Sequence, residues 1–389
     1  MTLQPSAIAP RLSIGIRAWN EEAVIRKTLE SVFQQSLFEE LSRRGERCEV
    51  LCIPNGCTDR TADIAAEVFA EQERSHPFAN AFTCRVDDMK EAGRNHTWNA
   101  YVHSLSSPDA EFLYIMDSDI LFNNHDTLFN MYAALLNHSE AAVASDQAIK
   151  DIHFKKNKSW LDRISLATTN MTATIEGQIT GQLYCIRSSV ARRLYLPKDL
   201  GIDDGFIKAI VCTDFFLRPL TPDRIILVPD ASHVYEAYTS VKEILNNQKR
   251  QMIGQAIVHV LLEHLRKLPS EQRWDLAATL RQKDKADPQW LKTLIDTHLG
   301  RARYFWRIFP DALSFRFKRW RKMPGAKRLT HFPAAVAGFV VTLVACARAH
   351  RHFRRGQMHY WPKASRENIQ RLNVDVPANA AVQPQPVRT

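Results

Sequence analysis

The sequence predicts an α/β protein with a mostly parallel sheet, followed by a helical, basic region towards the C-terminus. Strand and helix signals alternate over the first 120 residues, and the excess of basic residues falls in one C-terminal segment. The 389 residues are 45% hydrophobic and 24% charged, which are ordinary proportions for a globular chain. These proportions exclude wholesale disorder, collagen-like repeats and a disulfide-stabilised miniprotein.

Three short apolar runs in the first 120 residues predict strands. They lie at residues 12–16, 49–53 and 111–116. Helical patterns lie between them, at residues 61–72 and 93–104 and in the segment that follows Asn20, its expected N-cap. Such strand–helix–strand units with short connections form parallel sheets with right-handed crossovers.

Polar motifs follow each of the three predicted strands. The sequences at the strand ends are AWNEE, PNGCTD and DSD. Ligands of parallel α/β sheets bind outside the carboxyl ends of the strands. We therefore expect these three motifs to converge on one edge of the sheet and to line one site.

The pattern is mixed beyond residue 145. It predicts a helix at 158–174, a strand at 181–186, a long amphipathic helix at 241–267 and further helices at 270–283 and 289–309. The residues after 377 are rich in Ala, Pro, Gln and Val, a composition typical of disorder.

A strongly basic segment gives the chain its net charge of +10. Residues 301–355 contain fourteen Lys and Arg and a single acid, Asp311, so the rest of the chain is mildly acidic. This imbalance indicates an anionic partner, and the aromatic residues interleaved with Arg and Lys favour an anionic membrane surface over nucleic acid. The uncharged run at 332–347 would span about 24 Å as a helix, short of the ~30 Å hydrocarbon core. It could be a tilted span, an interfacial helix or a buried core helix.

Two further features bear on localisation. The N-terminus has no charged region followed by an apolar stretch, so we expect no secretory signal. The seven cysteines contain no CxxC pair, which indicates reduced thiols. The expected place is the cytoplasmic side of the membrane, as a peripheral protein or with one C-terminal membrane segment.

The DSD motif is the first candidate for chemistry. Asp117 and Asp119 directly end an apolar strand, so both carboxylates can face one divalent cation and its phosphates. Mg²⁺ and Mn²⁺ prefer oxygen ligands and keep phosphate and water in their coordination sphere. The position of the motif, beside two other polar strand ends, favours a metal site over a solvated turn.

The ordered motifs resemble those of the family 2 glycosyltransferases of the GT-A fold, of the inverting and non-processive type. The resemblance covers roughly residues 10–256. It is carried by LSIGIRAWNEEAVIRKTLESV, EVLCIPNGCTDRTADIA, EAGRNHTWNAYV, FLYIMDSDI, ITGQLYCIRSSVARRLYLPKDLGIDDGFIKAIV and VPDASHVYEAYTSVKEILNNQKRQMIGQ. It implies a GT-A fold, with a Rossmann-like nucleotide-binding half, and transfer of a sugar from a nucleotide diphosphate to an acceptor hydroxyl.

The resemblance also implies which residues hold the donor. Asp119 would bind Mn²⁺ or Mg²⁺, and Asp117 would lie near the ribose or a metal-bound water. The remaining donor residues would be Ala18, Asn20, Glu21, Asn55, Arg94 and Asn99. The family often has an Asp pair where this chain has Pro54 and Asn55, so a UDP-linked and a GDP-linked donor both remain open.

The acceptor side of the resemblance supplies a base. Asp203 and Asp204 resemble the family's Glu-Asp pair, with Asp204 in the position of the catalytic base. Neighbouring carboxylates raise one another's pKa, which suits that role. Arg250 resembles the arginine that closes over the diphosphate. His233 is either a third metal ligand or a core or surface histidine.

The expected function is transfer with inversion to a lipid-linked or membrane-anchored glycan. The two alternatives are a sugar-phosphate nucleotidyltransferase on a related fold and a non-catalytic glycan-binding module. The expected units are an N-terminal tail (1–10), a nucleotide-sugar-binding half (11–120), an acceptor-binding half (121–256), a helical extension (257–310), a membrane-associating segment (311–362) and a disordered tail (363–389). The sequence leaves the oligomeric state open.

Overall fold

A computed structural model describes residues 9–160, 162–163, 165–166, 177–238, 240–301, 320–321 and 325–355. The tail expected at 363–389 lies outside these residues, as do most of the N-terminal tail and of the helix expected at 158–174. In the part of the chain described, no helix is long and apolar enough to cross a membrane.

The strands of the described residues form a single mixed sheet. They are β1 (Leu12–Ala18), β2 (Cys48–Pro54), β3 (Phe82–Val86), β4 (Phe112–Asp117), β5 (Ile120–Phe122), β6 (Val143–Lys150), β7 (Leu183–Arg187) and β8 (Ile225–Tyr235). Their spatial order is β3-β2-β1-β4-β7-β6-β8-β5. The first four in this order are parallel, whereas β7 pairs antiparallel with both β4 and β6. The mostly parallel half that the sequence predicted is therefore confirmed.

The three predicted strands at 12–16, 49–53 and 111–116 are confirmed as β1, β2 and β4. All residues of β1 are buried, because helices cover both faces of the sheet. Gly15 in β1 is needed for this packing, since a Cβ there would lie 2.5 Å from the ring of Tyr101. The strand and the helix after β3 thus approach more closely than a larger residue would allow.

The helices flank the sheet in two layers. They are α1 (Ile25–Phe33), α2 (Leu37–Arg44), α3 (Thr61–Ser75), α4 (Arg94–Ala100), α5 (Thr127–Asn137), α6 (Ser188–Ala191), α7 (Asp204–Cys212), α8 (Val241–Arg266), α9 (Ser270–Trp274), α10 (Leu276–Ala286), α11 (Trp290–Arg301) and α12 (Gly325–Arg354). Helices α1, α2, α3 and α5 share one core with β1, while α7, α8 and the C-terminal helices share the core on the opposite face. The long helix predicted at 241–267 is confirmed as α8.

One predicted cap is wrong. Helix α1 begins at Ile25 with Val24 as its N-cap, five residues after Asn20. Asn20 instead adopts a left-handed backbone with φ of 53°. Asn tolerates this conformation better than most residues, so it serves a turn rather than the helix start.

The uncharged run at 332–347 lies within α12, and one face of α12 packs on α8. Ala345, Cys346 and Ala349 are buried against the core, and Arg348 Nη2 donates to Asn246 Oδ1 of α8 at 3.1 Å. Of the three alternatives for this run, the buried core helix therefore describes the face of α12 that packs on α8.

Candidate active site

The loops after β1 and β2 are joined by hydrogen bonds to each other. The Ala18 carbonyl accepts from the Asn55 backbone N at 2.9 Å and from Asn55 Nδ2 at 2.6 Å. Asn55 Oδ1 in turn accepts from Gly93 N at 3.1 Å, just before α4. Asn55 is 5% exposed. Its amide therefore links the ends of two strands to the start of a helix.

Asn20 and Glu21 extend this connection. Asn20 Oδ1 accepts from Thr58 N at 2.7 Å, and Glu21 N donates to Thr61 Oγ1 at 2.8 Å. Asp59 accepts from Thr61 N at 3.1 Å, at the first residue of α3. These contacts fix the backbone of AWNEE against PNGCTD, so the two motifs form one rigid wall of the site.

Four buried or half-buried charges lie at the carboxyl end of β4. Arg17 Nη2 donates to Asp117 Oδ1 at 2.8 Å, and Arg17 Nη1 donates to Asp203 Oδ2 at 3.2 Å. Arg94 Nη1 donates to both oxygens of Asp117 at 3.0 and 2.9 Å, and Arg94 Nε donates to Asp203 at 3.4 Å. We call these four residues the charge cluster. It brings the predicted donor residues Asp117 and Arg94 together with the predicted acceptor residue Asp203.

Arg17 is the member of this cluster that sequence reasoning missed. Its side chain is 4% exposed and spans from the DSD motif to the acid pair. A signal was present, because Arg17 is a charged residue inside a strand that is otherwise buried and apolar. A buried charge is kept only where it is paired, so such a position indicates carboxylates nearby.

The ion pairs of the charge cluster shift the pKa values of Asp203 and Arg94. Burial disfavours the charged form of Asp203, but Arg94 and Arg17 outweigh it and lower the pKa of Asp203 to about 2. Burial likewise opposes the charge of Arg94, whereas Asp117 and Asp203 raise its pKa. Asp203 and Arg94 are therefore both ionised at neutral pH.

Asp204 lies beside the charge cluster, but its pKa is shifted in the opposite direction to that of Asp203. It is the first residue of α7, and its Oδ1 accepts from Gly205 N at 2.7 Å. Burial and then the charge of Asp203 raise the pKa of Asp204 above its ordinary value. A carboxylate with a raised pKa is a better proton acceptor, which is the property that a general base needs.

Arg250 of α8 faces this acid pair. Burial lowers the pKa of Arg250, while Asp204 and Asp203 lie near enough to act against that shift. The loop before α7 packs on α8 one turn beyond Arg250, where a Cβ on Gly254 would lie 2.5 Å from Ile202 Cγ2. Gly254 thus allows the close contact that holds Asp203 and Asp204 beside Arg250.

Asp119 is the second carboxylate of the DSD motif and the predicted metal ligand. It is half-buried and lies two residues beyond Asp117, which is bonded to Arg17 and Arg94. Within the described residues, no group of three or more His, Cys, Asp or Glu side chains is arranged to hold a metal. One or two carboxylates still fit Mg²⁺ or Mn²⁺, because such ions take their other ligands from substrate phosphates and water.

His233 is fully buried and both of its ring nitrogens have partners. Nδ1 lies 2.6 Å from Asp146 Oδ2, and Nε2 lies 3.2 Å from Gln182 Oε1. Gln182 also joins the site through its carbonyl, which accepts from Asp117 N at 2.8 Å. Of the two expectations for His233, these contacts favour the core histidine over the metal ligand.

Asn99, which the resemblance placed among the donor residues, bonds to the loop that leads to Asp203. Its Nδ2 donates to the Leu196 carbonyl at 2.8 Å, and its Oδ1 accepts from Leu196 N at 2.9 Å. Asn95, one turn earlier, donates to the Pro197 and Leu200 carbonyls at 3.0 and 2.8 Å. Helix α4 therefore presents Arg94 to the charge cluster and uses its two asparagines to hold the loop that leads to Asp203.

Comparisons with known proteins agree with this geometry. Residues 13–193 match the family model described as glycosyl transferase family 2. The mannosyltransferase PcManGT of Pyrobaculum calidifontis, solved with GDP-Man and Mn²⁺, is 17% identical over 89% of this chain and 90% of that chain, with a TM-score of 0.50. No curated protein matches the chain in sequence.

Two other solved structures are more distant. The S. aureus protein TarS is 14% identical over 89% of this chain and 92% of that chain, with a TM-score of 0.42. The glucosyl-3-phosphoglycerate synthase of Mycobacterium tuberculosis is 15% identical over 67% of this chain and 81% of that chain, also with a TM-score of 0.42. Residues 13–193 thus resemble the family 2 glycosyltransferases, and the chain has the GT-A fold that it shares with the mannosyltransferase.

Proposed function

We propose that the enzyme transfers a sugar from a UDP- or GDP-linked donor to an acceptor hydroxyl, with inversion, in a metal-dependent reaction. The observation that carries this proposal is the position of Asp204. It lies beside an ionised acid and opposite Arg250, at the same edge of the sheet as the DSD motif. A base for the acceptor and charges for the donor thus lie within one site.

The donor side rests on Asp119 and the arginines. Asp119 would hold Mn²⁺ or Mg²⁺, and such an ion, when bound, neutralises the departing diphosphate. The mannosyltransferase structure contains GDP-Man and Mn²⁺, which supports a donor of this class. Arg94 and Arg250 would bind diphosphate oxygens, and Arg94 would exchange part of its contact with Asp117 and Asp203 for contact with the substrate.

The acceptor side rests on Asp204. Its carboxylate takes the proton of the acceptor hydroxyl while the acceptor oxygen bonds to the anomeric carbon of the sugar. The bond from that carbon to the diphosphate breaks on the opposite side, so the configuration inverts and the nucleoside diphosphate leaves. Asp203 stays ionised because Arg17 and Arg94 hold it, and its charge keeps the pKa of Asp204 raised.

We further propose a lipid-linked or membrane-anchored glycan as the acceptor, at the cytoplasmic face of the membrane. The basic C-terminal region supports this, because anionic lipids in the cytoplasmic leaflet attract Lys and Arg by ~1 kcal/mol each. A soluble acceptor would give such a region no role.

The test combines nucleotide binding with turnover. UDP, GDP, CDP and their common sugar conjugates are added with Mn²⁺ or with EDTA, and unfolding is followed by heating. One nucleotide at 100 times its Kd should stabilise the protein by about 2.7 kcal/mol, and only with the metal. We expect Asp119→Ala to lose this stabilisation. Asp204→Asn should keep it but lose about 10²- to 10⁴-fold in transfer, with a product of inverted configuration in the wild type.

Asp109→Asn is the matched control, because Asp109 is an exposed acid near the opposite end of β4. It should bind and turn over like the wild type. Wild-type turnover in both Asp119→Ala and Asp204→Asn would overturn the assignment of the site. No metal-dependent stabilisation by any nucleotide, in a folded sample, would overturn the metal-dependent reaction.

A further inference from the structure

Helix α12 carries apolar side chains on the face turned away from α8. We call this face the outer face of α12. Its large apolar residues are exposed by 37 to 51%. They are Phe332, Val336, Val340, Leu343 and Val344. Spacings of three and four residues place them on one side of the helix. The buried residues Cys346, Ala349 and Phe353 lie on the other side. The helix is thus apolar on both sides, while α8 covers only one.

The charge around the outer face has a single sign. Residues 325–355 contain six Lys and Arg and no Asp or Glu. Arg328 is exposed before the apolar stretch, and Arg351 and Arg354 are exposed after it. Arg354 follows Val336 by eighteen residues, which is five full helical turns, so it lies on the same side of the helix. The outer face is therefore an aliphatic surface with exposed arginines at both ends.

We propose that the outer face of α12 docks on an anionic lipid bilayer, with the helix lying in the plane of the interface. Aliphatic side chains there can enter the boundary between headgroups and acyl chains, while arginines at the ends reach lipid phosphates. A protein partner with mixed charges would leave some of these arginines without an opposite charge, whereas an anionic leaflet offers a phosphate to each of them.

Docking in this orientation would fix the active site relative to the membrane. Arg348 donates to Asn246 in α8 at 3.1 Å, and Arg250 lies one turn further along α8. The helix that would rest on the lipid is therefore bonded to the helix that presents Arg250 to the acid pair. This inference deepens the proposed function. Its relevance to a lipid-linked acceptor rests on that proposed function.

The experiment is flotation of the full chain with vesicles, in the absence of donor and acceptor. The probes are vesicles of neutral phosphatidylcholine and vesicles that also contain phosphatidylglycerol. We expect binding to the anionic vesicles only, weakened by high salt because screening shortens the range of the attraction. Arg351→Glu with Arg354→Glu should lower the partition coefficient by at least about 25-fold, at roughly fivefold per lost cation. Val340→Asp with Val344→Asp should abolish detectable flotation.

Matched controls carry the same changes elsewhere on the surface. Leu220→Asp changes a side chain that is 68% exposed before β8, and Arg74→Glu reverses an exposed charge in α3. Both should float like the wild type, and all variants should keep the wild-type unfolding temperature. Equal flotation of the Val340→Asp, Val344→Asp variant and the wild type would overturn the proposal. A wild-type dimer that this variant dissociates would also overturn it, in favour of a second copy of the chain.

The two proposals can fail separately. If the wild-type protein turned over the nucleotide sugar but did not float with anionic vesicles, only the docking of α12 would be overturned. Intact flotation of a protein that turns over no nucleotide sugar would overturn only the proposed function.

Discussion

The carboxyl edge of the sheet contains two kinds of polar side chain. At the ends of β1 and β2, the side chains of Asn20 and Asn55 bond to backbone groups, so they fix the shape of the loops. Between the ends of β1 and β4, Arg17 of β1 and Asp117 of β4 bond to charged side chains instead. The first region is held by neutral hydrogen bonds and the second by ion pairs between separate segments of the chain.

This difference indicates how each region can respond to a substrate. A diphosphate can take the place of a carboxylate at an arginine, because both are anions that accept two parallel hydrogen bonds. A backbone carbonyl held by Asn55 has no such replacement, since the loop itself would have to open. We expect the charge cluster to rearrange when the donor binds, while the walls at β1 and β2 stay fixed.

The largest expected effect on stability comes from Arg17→Met. The change removes one of the two arginines that bond to the half-buried Asp117 and the buried Asp203 and leaves Arg94, so we expect a loss of about 3 kcal/mol in the free energy of unfolding. Urea unfolding at pH 7 measures it. The matched control is Arg43→Met, which removes an arginine that is 65% exposed and paired with Glu40, and should cost under about 1 kcal/mol. Equal losses of unfolding free energy in Arg17→Met and Arg43→Met would contradict the conclusion that buried ion pairs hold the charge cluster together.

An intermediate effect is expected from acid. The pKa of Asp203 is about 2 in the folded chain, below its ordinary value of 3.8, so its contribution to stability is present above about pH 4. That contribution is lost as the pH falls from 4 to 2, and it amounts to about 2 kcal/mol. Unfolding free energies of the wild type and Asp203→Asn between pH 5 and 2 should therefore converge. Asp204, whose pKa is raised, acts in the opposite sense, since its contribution falls as the pH rises. Parallel curves for the two proteins would contradict the role of the arginines.

The smallest effect is expected from Asn55→Asp. The change removes the Nδ2 donor and places a carboxylate oxygen against the Ala18 carbonyl, so we expect a loss of about 1–2 kcal/mol. Asn80→Asp is the control, because Asn80 is exposed and should change stability by under about 0.5 kcal/mol. Unchanged stability in Asn55→Asp would mean that Asn55 faces a ligand rather than the backbone. Thermal unfolding without nucleotide distinguishes these outcomes.

Much of the parallel half could be predicted from sequence, for a physical reason. Strands β1, β2 and β4 are largely buried, so each one contains a recognisable run of mostly apolar residues. Strand β3 alternates between buried and partly exposed residues, and β5 has only three residues, so neither gives a strong pattern. Strand β6 contains an irregularity between Ser145 and Gln147, which interrupts any period along it. In the antiparallel half, the strand predicted at 181–186 is confirmed as β7, whereas β5 and β6 were not predicted.

Some residues of the candidate site could likewise be located from sequence, whereas the contacts of others depend on the tertiary fold. Asp117 and Asp203 could be located from sequence because each follows a recognisable element or motif. The role of Asn99 depends on the loop around Leu196, which reaches α4 only through the tertiary fold. The partner of His233 is Asp146, at the irregularity in β6, and no spacing in the sequence relates them. Pairings between distant segments are set by packing, which local patterns do not contain.

The bond from Asp117 N to the Gln182 carbonyl has an evolutionary consequence. It lies where β4, the last of the parallel strands, meets the antiparallel strand β7, so the two halves of the site join there. Backbone groups make this bond, so it would persist if the side chains of Asp117 and Gln182 were replaced. A lineage can therefore change the side chains around this junction and keep the pairing between the two halves of the sheet.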